Sequence, residues 1–142
     1  MTLLRSALFV ALVLTTACGS GADAARELSQ RSARLAAESW GSLVDAGQYE
    51  LAWTESAAMV REAIDRDRWM AELRKARAAM GELQSRILKD ASYSRQRPNA
   101  PPGEYYIIQY QSIFVNRLSA NETLVMVKGP DGRWRVAGYY IR

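Results

Sequence analysis

The chain has 142 residues, of which 49% are hydrophobic and 24% charged, and its net charge is +4. This length and composition are typical of one globular domain, and they exclude an intrinsically disordered chain. The sequence contains no histidine and one cysteine, which excludes catalytic sites with a histidine base and zinc sites built from cysteine and histidine.

The first residues have the pattern of an export signal. Arg5 provides a positive charge, and Ala7 to Leu14 are eight consecutive apolar residues. A helix that spans a membrane needs about 20 apolar residues, so this run has the length of a signal-peptide core and is too short for a span. We therefore expect residues 1–17 to be a signal peptide that exports the domain from the bacterial cytoplasm.

A candidate lipidation site follows the signal. The stretch from Leu14 to Cys18 resembles the lipobox of bacterial lipoproteins, in which the cysteine carries diacylglycerol, although Thr15 stands where leucine is preferred. An exported protein with one cysteine cannot form an internal disulfide, and lipidation gives Cys18 a role. We expect a lipoprotein anchored to a membrane and facing the periplasm, and Gly19, where a retention signal has aspartate, favours the outer membrane. The alternative is cleavage after Ala24, which gives a soluble periplasmic or secreted protein.

The next part of the chain predicts a tether and a long helix. Residues 18–25 are small and polar and predict a flexible tether, and residues 26–142 are predicted to form a single domain. The long helix ends at Gly47 and carries a stripe of apolar and small residues at spacings of three and four. The stripe consists of Leu28, Ser32, Leu35, Ala36, Ser39, Trp40, Leu43 and Val44.

Shorter helices are predicted after the first. One runs from Gln48 to about Ser56, and residues 57–64 continue helically. Asp65 is predicted to be the N-cap of a third helix, which ends at Gly81. The apolar face of this helix consists of Trp69, Leu73, Ala76 and Met80.

After Gly81 the period of the apolar residues changes from near four to two, which predicts antiparallel strands. A strand begins at Leu83, a loop with three prolines covers residues 95–103, and the strongest strand runs from Tyr105 to Val115. The face of this strand that is expected to enter the core consists of Tyr106, Ile108, Tyr110 and Phe114.

Two further strands complete a meander. A turn over residues 116–120 precedes a strand over residues 122–128, and a hairpin turn at residues 129–132 leads to the last strand. In the first of these strands Thr123, Val125 and Val127 alternate with Glu122 and Lys128, and in the last Trp134, Val136, Gly138 and Tyr140 share a face. Helices followed by a meander of about four strands predict an α+β fold.

A series of landmark residues has a characteristic order along the chain. They are Trp40, Asp45 to Tyr49, Trp53, Trp69, Arg77, Gly81, Ser85, Arg86, Gly103 to Tyr105, Ile108 to Tyr110, Phe114, Glu122, Thr123 and Asp131 to Ile141. Over roughly residues 30–142 they resemble a family of bacterial envelope proteins called domain of unknown function 4019, which has no assigned activity. Helices followed by a curved meander that ends in the last of these segments also look like the wider nuclear transport factor 2-like superfamily, whose cone-like fold encloses a pocket. The resemblance implies a cone-like α+β fold and the envelope compartment.

Aromatic residues on the inner sheet face are the candidate ligand-binding residues. Tyr106, Tyr110, Trp134 and Tyr140 could line a pocket, together with Phe114, and their polar groups would orient an apolar ligand. The alternative is that these rings pack as core against the tryptophans of the helices.

Glu122 is the acidic residue that a solvated surface explains least well. If it is buried and paired with Arg86, Arg117 or Arg135, its role is structural. If it is buried and unpaired, its pKa is raised and it could act as a general acid.

Residues 86–142 carry nine basic and four acidic side chains. A basic outer face of the sheet is predicted, and it either docks an acidic protein or an anionic envelope polymer or is a solvated surface. Its members are Arg86, Gln109, Gln111, Arg133 and Arg135. No nucleic-acid partner is expected, because the domain is exported and has no basic cluster interleaved with aromatic residues.

These patterns predict a non-catalytic envelope lipoprotein domain that binds a protein partner or a small ligand and uses no metal or other cofactor. Two alternatives are a secreted domain that binds a small ligand and an enzyme with a buried carboxylate or tyrosine in the cone pocket. The last two require a cavity among Tyr106, Tyr110, Trp134 and Tyr140.

Overall fold

The computed structural model describes residues 20–142. The predicted signal peptide and Cys18 therefore lie outside the described residues. Four helices precede four strands: α1 (Ser20–Asp45), α2 (Tyr49–Glu55), α3 (Ala58–Ala63), α4 (Arg66–Met80), β1 (Leu83–Ser94), β2 (Tyr105–Phe114), β3 (Arg117–Lys128) and β4 (Trp134–Ile141). The strands form one antiparallel sheet in the order β1-β2-β3-β4. The α+β prediction, with helices first and a four-stranded meander after them, is confirmed.

Helix α1 begins within the segment that was predicted to be a tether. It starts at Ser20, so residues 20–25 are helical, and the prediction of a flexible tether over them is wrong. Ala22, Ala24 and Ala25 favour the helix, and Asp23 lies in the first turn, where the helix dipole stabilises negative charge. Residues 21–28 are all exposed, so this end of α1 extends beyond the core.

The buried face of α1 differs from the predicted stripe. Ala33, Ala37, Trp40 and Val44 are at most 3% exposed, whereas Leu28 and Leu35 are 64% and 58% exposed. The alanines allow the helix backbone to lie close to the sheet, where a leucine would not fit. Hydrophobicity alone predicts that the leucines are buried, but two small alanines occupy the buried face together with Trp40 and Val44.

Helix α4 has the predicted boundaries. The side chain of Asp65 accepts hydrogen bonds from the backbone N–H groups of Asp67 and Arg68 at 3.0 and 3.1 Å. Gly81 ends the helix with φ of 78°, a conformation that glycine adopts without strain. The inward face includes Leu73, as predicted, and also a buried arginine, Arg77.

The inner face of the sheet follows from the register of β2 and β3. Tyr106, Ile108, Tyr110 and Phe114 are at most 4% exposed, as predicted. Tyr110 pairs with Glu122 across the ladder, so Glu122 lies on the same inner face. The sequence pattern of β3 places Thr123, Val125 and Val127 on the face opposite Glu122. Both faces of this strand carry apolar residues and Val125 is also buried, so alternation alone could not identify the inner one.

The predicted turn at 116–120 is also wrong, because β3 already begins at Arg117.

A bulge in β4 reverses the direction of its last side chains. Val125 pairs with Gly138 and Met126 with Val136, which leaves Ala137 as an extra residue. One extra residue exchanges the two faces of a strand. Tyr139 therefore packs against the core, and Tyr140, predicted to face inwards, lies on the outer face and is 53% exposed.

The core fills the space between the helices and the sheet. Tyr106 and Trp134 contact each other edge to face with centroids 5.0 Å apart, and the Trp40 ring lies 5.4 Å from that of Tyr139. The Trp40 Nε1–H donates to the Ala52 carbonyl at 2.8 Å. Within residues 20–142, none of the helices is both long and apolar enough to cross a membrane.

Candidate functional site

Four charged residues meet at one end of the inner sheet face, and we call them the charge cluster: Asp45, Arg77, Arg86 and Glu122. They come from the end of α1, from α4, from β1 and from β3. Glu122 is fully buried and Arg77 is 6% exposed. Two acids and two bases have no net charge, which is the condition under which such groups can be removed from water.

Glu122 is surrounded by donors. Arg86 Nε and Nη2 donate to its two carboxylate oxygens at 2.8 and 3.0 Å in a bidentate pair. Tyr139 Oη donates to Oε2 at 2.6 Å, and Ser112 Oγ donates to Oε1. Arg77 Nη1 lies 3.7 Å from Oε2. The pairing of Glu122 with Arg86, one of the alternatives that the sequence left open, is confirmed.

Asp45 bridges the two arginines from the other side. Its Oδ1 accepts from Arg77 Nη2 at 2.8 Å, and its Oδ2 accepts from Arg86 Nη1 at 2.8 Å. Asp45 is the last residue of α1, so these bonds attach the end of that helix to α4 and to β1. The guanidinium of Arg77 also lies 4.7 Å from the centroid of the Phe114 ring.

The protonation states in the cluster follow from these contacts. Burial by itself raises the pKa of Glu122, but the hydrogen bonds from Arg86, Ser112 and Tyr139 outweigh burial and lower the pKa below its usual range. Burial and the nearby Glu122 carboxylate raise the pKa of Tyr139 above its usual value. Glu122 is therefore ionised and Tyr139 neutral at pH 7. A carboxylate held in this way is a poor general acid, because its proton is lost far below neutral pH.

The four candidate ligand-binding residues do not share a cavity. Tyr106 and Trp134 are packed in the core, Tyr110 is 4% exposed, and Tyr140 lies on the opposite face of the sheet. Burial raises the pKa of Tyr110 to about 12. The cone pocket lined by these residues, which the ligand and enzyme hypotheses required, is therefore filled by their own side chains.

The predicted basic outer face is formed only in part. Gln109 and Gln111 line the outer face, whereas Arg86 points inwards to the charge cluster. Arg135 donates to Asp131 at 2.7 Å, and Arg133 lies 4.0 Å from Glu55. Arg86 could not be assigned correctly from its sequence position, because its side-chain direction depends on the register between β1 and β2.

A cleft opens instead between the outer edge of β4 and helices α3 and α4. We call it the edge cleft; its volume is about 390 Å³. Its walls include Trp40, Val60, Trp69, Leu73 and Tyr139, with Glu72 and Arg142 among the polar lining residues. The lining is largely apolar and aromatic, as in many binding sites.

Backbone groups of β4 are directed into the edge cleft. Asn121 and Arg142 exchange both backbone hydrogen bonds, at 2.9 and 3.1 Å. Bonded and non-bonded pairs alternate along an antiparallel ladder, so the N–H and C=O groups of Tyr139 and Ile141 point away from β3. Nearer the start of β4, Ala57, the N-cap residue of α3, donates a backbone hydrogen bond to the Val136 carbonyl at 2.8 Å. Tyr139 and Ile141 therefore present unpaired donors and acceptors beside an apolar wall.

The comparison with protein families identifies the chain. A family model described as "Protein of unknown function (DUF4019)" matches residues 36–139. The chain belongs to the DUF4019 family. Comparisons with curated proteins and with solved structures found no match, so the likeness to the nuclear transport factor 2-like superfamily stays a prediction.

The DUF4019 match spans the whole charge cluster, from Asp45 in α1 to Glu122 in β3, and also Tyr139 in β4. It includes most of the lining of the edge cleft and excludes Cys18 and the exposed start of α1. Sequence reasoning had named Glu122 and Arg86 but had not singled out Arg77 as a buried residue. Arg77 lies four residues after Leu73, so the helical period places both side chains on the inward face of α4, and this spacing predicts the burial of Arg77. Within residues 20–142 no group of three potential metal ligands was found.

Replacing Glu122 with glutamine leaves the buried Arg77 and the half-buried Arg86 with one carboxylate, Asp45. We expect Glu122→Gln to lower the free energy of unfolding by about 3 to 5 kcal/mol, because an uncompensated buried charge remains. Urea unfolding at pH 7 measures this loss. The control is Glu62→Gln, which changes an exposed side chain of α3 and should alter stability by less than about 0.5 kcal/mol.

The pH dependence of stability in the wild type and in Glu122→Gln tests the same ion pair. The pKa of Glu122 is lowered by folding, so its contribution is present above the unfolded pKa and disappears as the pH falls towards the folded pKa. Wild-type stability should therefore fall more steeply between about pH 5 and about pH 3 than that of Glu122→Gln. Parallel pH profiles for the two proteins would contradict this assignment.

Proposed function

We propose that this protein is a non-catalytic envelope lipoprotein domain that binds an extended segment of a protein partner in the edge cleft. The proposal rests on one observation. The backbone N–H and C=O groups of Tyr139 and Ile141 point away from β3, form no backbone hydrogen bond among the described residues, and lie beside the aromatic wall of the cleft. An extended peptide satisfies such groups by adding a strand to the sheet, and its alternate side chains enter the apolar cleft.

The anchoring part of the proposal rests on the sequence pattern around Cys18. The exposed side chains at residues 21–28 suit a helical spacer between an anchored N-terminus and the domain. A spacer of this kind would hold the edge cleft away from the lipid surface, where a partner protein can reach it.

A small apolar ligand is a second candidate for the edge cleft. The cleft has a volume of about 390 Å³, which lies within the usual range for ligand pockets, roughly 300 to 1,000 Å³. Trp40, Trp69 and Leu73 provide an apolar surface for it. A small apolar ligand would leave the backbone groups of β4 unsatisfied, and for this reason we favour the peptide.

The non-catalytic assignment is supported by the state of the titratable groups. Glu122 is the fully buried carboxylate of the described chain, and it is neutralised by Arg86 and hydrogen-bonded on both oxygens. Tyr139 already donates its proton to Glu122. Neither group is free to exchange a proton with a bound molecule.

The lipid anchor can be tested by replacing its attachment atom. We expect Cys18→Ser to abolish membrane association and to cause the unprocessed precursor to accumulate, as measured by cell fractionation and mass spectrometry. The matched variant is Ala24→Leu, which blocks the alternative cleavage site because signal peptidase requires small residues there. Ala24→Leu should be processed normally. Normal processing of Cys18→Ser together with arrest of Ala24→Leu would overturn the proposal.

The peptide site can be mapped with a photo-crosslinking amino acid in the native envelope. At Ala76, which lines the edge cleft, it should capture one extended segment of a partner protein. At the neighbouring exposed position Lys75 it should not capture this segment. A synthetic copy of the segment, at about 100 times its Kd, should slow hydrogen exchange at the amides of Tyr139 and Ile141 by about 100-fold.

A proline variant shows whether backbone pairing provides the affinity. Ile141→Pro removes an N–H that points away from β3, and an edge strand tolerates proline at such a position. It should weaken binding of the synthetic segment, whereas Ile141→Val should bind as the wild type does. Capture of a small molecule instead of a protein, or unchanged exchange at both amides, would contradict the peptide site.

A further inference from the structure

The outer face of the sheet forms a second concave surface, which shares Tyr140 and Arg142 with the edge cleft. We call it the outer groove; its volume is about 680 Å³, and it is lined by residues of all four strands and of the β1–β2 loop. Three cations reach it: Lys89 from β1, Arg97 from the loop and Arg142 beyond β4. None of its lining side chains is acidic.

The three cations of the outer groove have no acidic partner among residues 20–142. Other cations of the sheet form ion pairs: Arg86 pairs with Glu122, and Arg135 pairs with Asp131. Lys89, Arg97 and Arg142 form no salt bridge within residues 20–142. Like charges that converge on one concavity attract an anionic ligand.

Amide side chains lie between the cations. Gln109 and Asn121 are exposed on the floor of the groove. Gln111 Nε2 donates to Ser119 Oγ and to the Ala120 carbonyl, and its carbonyl oxygen accepts no hydrogen bond from the described residues. Amides both donate and accept hydrogen bonds, so this floor suits a ligand with many hydroxyl groups.

Tyr140 supplies a flat apolar surface beside the amides. Its ring lies against the backbone at Gly138, where an added Cβ would approach Tyr140 Cε2 to 3.2 Å. The ring therefore lies along the outer face of the sheet beside Gly138, and the residue is 53% exposed. An aromatic ring in this position can stack on the C–H face of a sugar ring, while the cations bind carboxylates.

We propose that the outer groove binds a strand of an acidic polysaccharide. An acidic peptide fits less well, because the backbone groups of a sheet face are already paired in the ladder and cannot bind a peptide strand. Recognition must therefore come from side chains, and a cation set combined with amides and an exposed ring matches an acidic, hydroxyl-rich sugar. This proposal does not rest on the peptide site proposed for the edge cleft, although Tyr140 and Arg142 line both surfaces.

The test uses calorimetric titration of the full chain in a neutral detergent with oligogalacturonate, which carries one carboxylate on each sugar ring. Neutral dextran and poly-L-glutamate are the comparison ligands. We expect oligogalacturonate to bind at low salt, to weaken as salt is raised, and to bind at least about tenfold more tightly than either comparison ligand.

Variants separate stacking from charge. Tyr140→Ala and Tyr140→Leu should each weaken binding about tenfold, while Tyr140→Phe should retain it. The double variant Lys89→Gln with Arg142→Gln should weaken binding by a similar factor. The matched double variant Arg68→Gln with Lys75→Gln removes two exposed cations from α4 and should bind normally.

Three outcomes would overturn the proposal. They are the absence of oligogalacturonate binding, equal binding of poly-L-glutamate with no effect of Tyr140→Leu, and an equal loss of affinity in the two double variants. The second outcome would assign the groove to acidic proteins, and the third would reduce the interaction to net charge. Circular dichroism of each variant establishes that it is folded.

Discussion

The fold depends on the pairing of two carboxylates with two arginines, of which Glu122 and Arg77 are buried. Asp45, Arg77, Arg86 and Glu122 come from four different elements, and each acid contacts both arginines. A buried charge is costly unless it is paired, so the loss of a partner leaves Glu122 or Arg77 incompletely neutralised in the protein interior. The end of α1, helix α4 and the inner sheet face are therefore fixed relative to one another by charge as well as by apolar packing.

The bulge in β4 connects this cluster to both proposed binding surfaces. The extra residue at Ala137 turns Tyr139 inwards, where its hydroxyl completes the shell around Glu122. The next residue, Tyr140, is turned out to the outer groove, and the backbone of Tyr139 and Ile141 faces the edge cleft. A one-residue change of register would remove the Tyr139 hydrogen bond and also rearrange the two surfaces.

Local sequence patterns predicted the elements but not every side-chain direction. Asp65 and Gly81 have roles fixed by backbone chemistry within a few residues, so the limits of α4 could be predicted. The inward position of Glu122 could not, because it depends on an arginine 36 positions away in the chain. Tyr140 was assigned to the wrong face because a bulge has no clear local signature. Ala33 and Ala37 were overlooked because their burial reflects the close approach of a helix to the sheet.

Arg86 and Glu122 stabilise the fold as a pair, and a double-mutant cycle measures the coupling between them directly. Arg86→Met and Glu122→Gln each leave an unbalanced buried charge, whereas the double variant leaves the neutral pair of Asp45 and Arg77. The free energies of unfolding should therefore show a coupling of about 1 to 3 kcal/mol, with the double variant more stable than the sum of the single losses implies. Single losses that add to within about 0.5 kcal/mol would show that Arg86 and Glu122 do not act as a pair.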